Sequence, residues 1–336
     1  MGNDRIFTRD FILDTLISLC CSLNYFALLI NIAGFASYEF GADPALGGTA
    51  AGIYVIGGLI SRVFAGKYVE LFGRKRMLIL GLSFALVMSF AYFLVESMAA
   101  LMVVRLLHGM SYGISSTCTS DIVAKLVPPS RRGEGLGYFF LSVTVACAIG
   151  PLLGMTFGSS QDYAAVFSVG LVMYSSALVM ALVIRVPEES LTERQAAEAR
   201  GFSLGNMFQA SAVPLALAST VFYFAYSGVL SFIASYSEEI GLSDVATYYY
   251  VVVAAGTLVS RLFAGRIYDS KGPNIVVFPA FVGFMIGMAV FATTSMPAPF
   301  LLSGFVIGVG VSIVYSICQS IVVSKSPPHR YGVATS

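Results

Sequence analysis

SRVFAGKYVELFGRKR, residues 61–76, is written again as SRLFAGRIYDSKGPNI, residues 260–275. Ser61, Arg62, Phe64, Ala65 and Gly66 recur as Ser260, Arg261, Phe263, Ala264 and Gly265. The acid and glycine that follow, Glu70 and Gly73, return as Asp269 and Gly272. The copies stand 199 residues apart. A second echo, PPSRRGEG at 128–135 and PPHRYGVA at 327–334, has the same offset. Two matches at one spacing mean that two long segments align without net insertion, which chance does not supply.

Of the 336 residues, 57% are hydrophobic and 11% charged, against roughly 25% charged in an ordinary soluble domain. The mean hydropathy is +0.84. So little charge cannot cover soluble cores in a chain of this length. Runs of about 18 or more apolar residues read as membrane spans instead. Ten are present, roughly 11–36, 46–67, 77–95, 98–123, 136–157, 163–184, 210–233, 245–266, 275–294 and 299–323. The first is read as retained, since it is too long for a signal-peptide core and no small-residue cleavage site follows. The polar stretch 185–209 reads as a cytoplasmic linker between an N-terminal six-helix bundle, 1–184, and a four-helix C-terminal bundle, 210–336.

Charge placement tests this layout independently. Arg5 and Arg9 put the N-terminus inside, and the inner loops then hold Lys67, Arg74, Lys75 and Arg76 through to Arg266, Lys271, Lys325 and Arg330. Arg62 and Arg261 fall at the inner ends of their helices. The outer loops carry Glu39, Asp43, Glu96, Asp162, Glu238, Glu239 and Asp244, with no Lys or Arg. Such a split follows the positive-inside rule. The expected setting is the cell (plasma) inner membrane, crossed many times, with a cytoplasmic N-terminus. The net charge of +1 hides this asymmetry and implies no nucleic-acid partner. Each repeat carries six helices up to its partner position, and an even number gives both the same orientation. The fold class is therefore all-α integral membrane, two parallel six-helix repeats with the second incomplete. Solute sites in such repeats lie between the halves near the bilayer midplane.

The stretch from Gly66 through Glu70, Gly73, Arg74 and Lys75 resembles motif A of the major facilitator superfamily, with Glu where Asp is usual. The second copy keeps Gly265, Asp269 and Gly272 and loses the basic pair. In the fourth span, Leu101, Arg105 and Gly109 are similar to motif B, with His108 where Gln is usual. In the fifth, Gly137, Gly150, Pro151 and Gly154 resemble the antiporter motif of drug and proton exchangers, and Ala146 and Met155 stand where that motif has glycine. The resemblance implies alternating access. It also implies a cytoplasmic gate latch in which Arg74 meets an acid at the inner end of the fourth span, a place Asp121 fills. The plain alternative for the same charges is topology setting alone.

The residues can also be read without the family. Gly66 and Gly73 are expected to bracket a tight inner loop where two helix ends approach, and the basic cluster at Arg74 matches the negative inner leaflet. Glu70 could face a helix N-terminus or pair with a base. Arg105 lies about seven residues into its span, where an arginine costs roughly 2.5–3.5 kcal/mol. It should face the bundle interior or a wet cavity, or else snorkel outward. Asp14 is either a proton carrier, since a carboxyl held out of water favours its neutral form, or a solvated acid a turn from the interface. Changing Asp14 or Arg105 is expected to stop gradient-driven transport with folding intact. His108 joins them as a candidate for the coupling site. Gly150, Pro151 and Gly154 are a helix bend or a packing surface, and Gly109 with Gly113 a packing pair. Possible solute-facing groups are Asn24, Tyr25, Asn31, Tyr112, Tyr223, Tyr226, Tyr315 and Gln319.

The five cysteines all lie in spans, without metal-ligand spacing, and read as small apolar residues. No nucleotide loop or hydrolase motif is present, so no enzyme, metal or cofactor is expected and a proton gradient would have to supply energy. The reading is a monomeric secondary transporter of small organic solutes in contact with lipid, with proton-coupled efflux foremost. Symport uptake, or a non-functional fragment, is the alternative. Ser336 aligns with Gly137 at the start of the fifth span, so two C-terminal spans are expected to be missing. Glu70, which the resemblance docks on an eleventh helix, would then lack its partner, and lipid or a second copy would cover the open flank. A genuine ten-span protein is the competing view.

Overall fold

A computed structural model describes residues 5–158, 162–186, 191–193, 195, 200–201 and 209–336. Most of the expected 185–209 linker lies outside the described residues. Among them every regular element is helical, and ten helices are long and apolar enough to cross a membrane. In chain order these are α1 (Arg9–Phe40), α2 (Pro44–Phe72), α3 (Arg74–Ala91), α4 (Met98–Leu126), α5 (Arg132–Gly158), α6 (Tyr163–Val183), α7 (Val213–Glu239), α8 (Ser243–Lys271), α9 (Asn274–Thr293) and α10 (Pro297–Lys325). A short α11, Tyr331–Thr335, follows.

Local chemistry sets the helix ends. The Thr8 side chain accepts the Phe11 N–H at 3.2 Å and opens α1. Asp43 accepts the Leu46 N–H at 2.8 Å, and Pro44 stands at the first helical position of α2. Gly73 and Gly272, with φ of 89° and 83°, end α2 and α8 at equivalent places in the two repeats. The connection after each is accordingly shorter than hydropathy suggested. Lys67, Gly66 and Glu70, and likewise Gly265, Arg266 and Asp269, are helical residues and not loop residues. Polar side chains near a helix end lower its hydropathy without breaking the backbone ladder. The same correction applies to Arg62 and Arg261, which lie ten residues, roughly 15 Å, before the last residue of their helices.

Packing gathers the chain into two compact units whose limits differ from a cut at the linker. One comprises residues 5–126, 145–209 and 326–336, the other 127–144 and 210–325. The opening turns of α5 thus belong with α7 to α10, and α11 belongs with α1 to α4. In the first unit, Ile17, Leu78, Leu82, Ile122, Tyr174 and Ala177 form one core. In the second, Phe222, Phe284, Ile307 and Val314 form another.

The repeat reappears in backbone contacts. In the first unit α2 and α4 meet at glycines: a Cβ at Gly57 would come within 2.1 Å of the Leu106 carbonyl, and one at Gly109 within 1.9 Å of that of Tyr54. In the second, Gly256 meets the Phe305 carbonyl at 2.3 Å and Gly308 that of Val253 at 2.2 Å. Each partner is 199 residues on from its counterpart. One pair differs. Arg105 reaches from α4 to the carbonyl of Ala50 on α2, whereas at the equivalent places Tyr249 of α8 lies against Gly304 of α10. The bulk comes from the opposite helix, which is why motif B has no second copy.

Candidate functional site

Where α2 gives way to α3 in the first unit, α2, α3 and α4 bring three of the expected residues together. Buried Arg74 donates from Nε to Asp121 Oδ2 at 2.5 Å and pairs with Glu70 one turn back. The expected Arg74–Asp121 contact is formed. Glu70 is not left without a partner: it pairs with Arg74, and α11 lies on the same helix. A Cβ at Gly66 would meet the Gly332 carbonyl at 2.6 Å. Lys75 donates to the carbonyls of Leu182 and Ile184, at 2.8 and 2.9 Å, and so caps the end of α6. Asp14 lies on α1. It is 0% exposed, and both its carboxyl oxygens are enclosed without a hydrogen-bond partner.

The second unit holds the counterpart, built differently. Asp269 accepts the backbone N–H groups of Gly133 and Glu134, each at 2.8 Å. Those are unpaired donors in the first turn of α5, the positive end of its dipole. Glu134 in turn accepts from Arg266 at 2.7 Å and from Arg131 at 2.9 Å, and Tyr138 donates to it at 3.2 Å. Gly265 lies so close to α5 that a Cβ would come within 2.4 Å of the Gly133 carbonyl. Gly272 supplies the turn. Sequence reasoning missed Gly133, Glu134, Arg131 and Arg266 as members of this cluster. The signal was present, since PPSRRGEG was one of the two echoes.

Arg105 is 0% exposed. Its Nε and Nη2 donate to the carbonyls of Ala50 and Ala51 at 2.9 and 3.2 Å, and Nη1 to the Tyr92 hydroxyl at 3.3 Å. The guanidinium lies 4.4 Å over the Tyr54 ring. It is a tie between α2 and α4, inside the bundle and away from lipid, so intact folding without it is no longer the expectation. His108 Nδ1 shares a hydrogen bond of 3.1 Å with the Tyr92 hydroxyl, and its Nε2 is enclosed without a partner.

The remaining expected residues divide by unit. Tyr25 stacks on Tyr54 and Tyr112, each at 5.4 Å. Asn24 is buried with its carbonyl unpartnered, while Asn31 donates to Ala27 of its own helix at 2.8 Å. Pro151 lies inside α5, and its flanking glycines face α1: a Cβ at Gly150 would meet Phe26 at 2.6 Å, and one at Gly154 Asn31 at 2.5 Å. Gly113 likewise faces Gly58, at 2.4 Å. In the second unit the Tyr223 hydroxyl donates to the Val311 carbonyl at 3.2 Å. Tyr315 is exposed beside Phe140 at 4.7 Å, and Tyr226 and Gln319 are half-buried.

A transporter of the major facilitator type from Methanocaldococcus jannaschii, itself uncharacterised, is 22% identical over 295 residues, 85% of this chain and 75% of its own length. A transporter of the same type from Metarhizium rileyi is 38% identical over 85 residues, 25% of this chain and 18% of its own. Among solved structures, a human organic anion transporter superposes with a TM-score of 0.76 at 17% identity, covering 97% of this chain and 88% of the other. A bacterial homologue of the iron transporter ferroportin, in its outward-facing state, gives 0.79 at 14%, covering 98% and 89%. At such identities the likeness speaks for the fold alone. The sequence model described as Major Facilitator Superfamily matches residues 15–336, and the chain belongs to that superfamily.

Proposed function

We propose that this transporter exports a small organic solute in exchange for protons, with Asp14 as the proton carrier. Membership of the family carries the coarser part: the chain is a membrane transporter of solutes and not an enzyme. The observation that carries the finer part is Asp14. Its carboxyl is enclosed with no donor on either oxygen, an arrangement that suits a neutral acid far better than an anion. A conformation that admits water there would let the proton leave, which links solute movement to proton movement. The glycines around Pro151, set against α1, support the exchanger reading through the motif they resemble. The positive inner loops favour a cytoplasmic N-terminus and insertion in the plasma membrane.

The test is reconstitution of the full chain into liposomes loaded with a pH-sensitive dye. A panel of cationic, neutral and anionic organic solutes should include some that evoke proton movement in the native protein. Asp14→Asn should remove that movement while solute exchange without a gradient continues. Proton movement in Asp14→Asn equal to native, across a pH series, would exclude Asp14 as the carrier.

A further inference from the structure

Arg261 lies in the repeated stretch and takes no part in the cluster around Asp269 and Glu134. It is 6% exposed, and its Nε and Nη1 are enclosed with no hydrogen-bond partner. Three other buried or clustered arginines are engaged: Arg74 by Glu70 and Asp121, Arg105 by two carbonyls and a phenol, Arg266 by Glu134. What surrounds Arg261 is aromatic. The guanidinium carbon lies 5.7 Å from the centre of the Phe140 ring and 5.8 Å from that of Tyr315. No hydrogen bond to Nε or Nη1 of Arg261 is formed by a carboxylate or any other group among the described residues. The Tyr223 hydroxyl is already engaged with Val311.

A cation taken out of water without a counter-charge is costly, and more so inside a bilayer. Ring faces recover part of that cost, but they leave the N–H donors unused. A guanidinium offers planar donor pairs, Nε with Nη2 and Nη1 with Nη2, each a fork that fits a carboxylate, sulfonate or phosphate with two parallel hydrogen bonds, and each unmet donor of Arg261 belongs to one such pair. Beside the guanidinium, Tyr315 is 40% exposed, so part of an aromatic side chain is accessible next to the charge. Arg261 lies roughly 15 Å along α8 from its inner end, too deep for a lipid headgroup in its ordinary place and suited to a soluble organic anion.

We propose that Arg261, flanked by Phe140 and Tyr315, is the binding point for a ring-bearing organic anion, the anionic group on the fork and the ring against Tyr315. The proposal rests on the transport reading above and names the solute class. Its test uses the purified full chain in nanodiscs of phosphatidylcholine, with radiolabelled 2-naphthoate as probe and 2-naphthamide as its neutral counterpart. Native protein should bind naphthoate saturably and at least tenfold more tightly than naphthamide. Arg261→Gln should lose that preference while its melting temperature is kept or rises, because an unpaired buried charge has been removed. Arg261→Lys, which keeps the charge without the fork, should fall between, and Tyr315→Ala should weaken naphthoate several-fold. Should Arg261→Gln fail to fold, the lysine and Tyr315 variants decide.

Equal binding of the two probes, no naphthoate binding, or native affinity in the variants that fold would overturn the proposal. So would complete displacement of naphthoate in discs made with phosphatidylglycerol, which would assign the fork to a headgroup. Proton movement evoked by uncharged or cationic solutes, without naphthoate binding, would reject the anion site and leave the transport reading intact. Naphthoate binding without any solute-evoked proton movement would do the reverse.

Discussion

Arg105 and Asp269 are charged side chains that serve the backbone of a neighbouring helix. Replacing Arg105 by Ala removes two bonds to α2, one to Tyr92 and the bulk between them. Thermal unfolding of the purified protein in detergent should register a loss of about 2–4 kcal/mol, with transport lost as a consequence of that. Asp269→Ala removes the acceptor of two N–H groups at the start of α5 and should cost about 0.5–2 kcal/mol, the range for a lost helix cap. Asp269→Asn, which keeps one acceptor, should cost less in the same measurement. Both charges were legible in the sequence as motif positions. Their partners are main-chain atoms, which have no letter in a sequence, so Arg105 read as a cavity residue. Arg261 was misplaced for a related reason: a sequence displays a charge and hides the absence of anything to meet it.

At the scale of the helix pair, α2 with α4 and α8 with α10 are held by the same device. Gly109→Ala and Gly308→Ala should destabilise by similar amounts, about 1–3 kcal/mol each, because each added methyl would strike a carbonyl of the facing helix. Gly52 lies in α2 with nothing within 4 Å of an added Cβ. Gly52→Ala should therefore be neutral or stabilising by up to about 1 kcal/mol. Melting temperatures of the three variants in one detergent check the contrast, and equal losses at all three sites would contradict the packing account. The helices themselves were easy to read, since apolar runs of this length have few other meanings. Their ends were not, because Lys67 and Arg266 interrupt the hydropathy while the helices continue to Gly73 and Gly272.

Across the whole molecule, an offset of one number carried the fold. It predicted the repeat and a shared orientation for both copies. It could not show that the copies would settle their acids differently, Glu70 on Arg74 and Asp269 on α5. Nor did a cut at the linker anticipate that the opening turns of α5 would pack with the second half. The orientation invites a direct check. Glu96 and Lys271 are both exposed. In a cysteine-free background, Glu96→Cys should react with an impermeant thiol reagent on intact cells, and Lys271→Cys only after permeabilisation. The reverse pattern would place the N-terminus outside.

The tie made by Arg105 also bears on synthesis. The ribosome delivers α2 before α4, so the carbonyls of Ala50 and Ala51 are already in the bilayer when Arg105 arrives. An arginine that would resist insertion alone, at roughly 2.5–3.5 kcal/mol, meets its acceptors on entry. Arg261 has no such reception. Phe140 has been made by then, but Tyr315 has not, and neither accepts a hydrogen bond from Nε or Nη1. Translocation of α8 is accordingly the step at which a nascent chain of this kind should linger, and the step most open to help from an insertase or a passing anion.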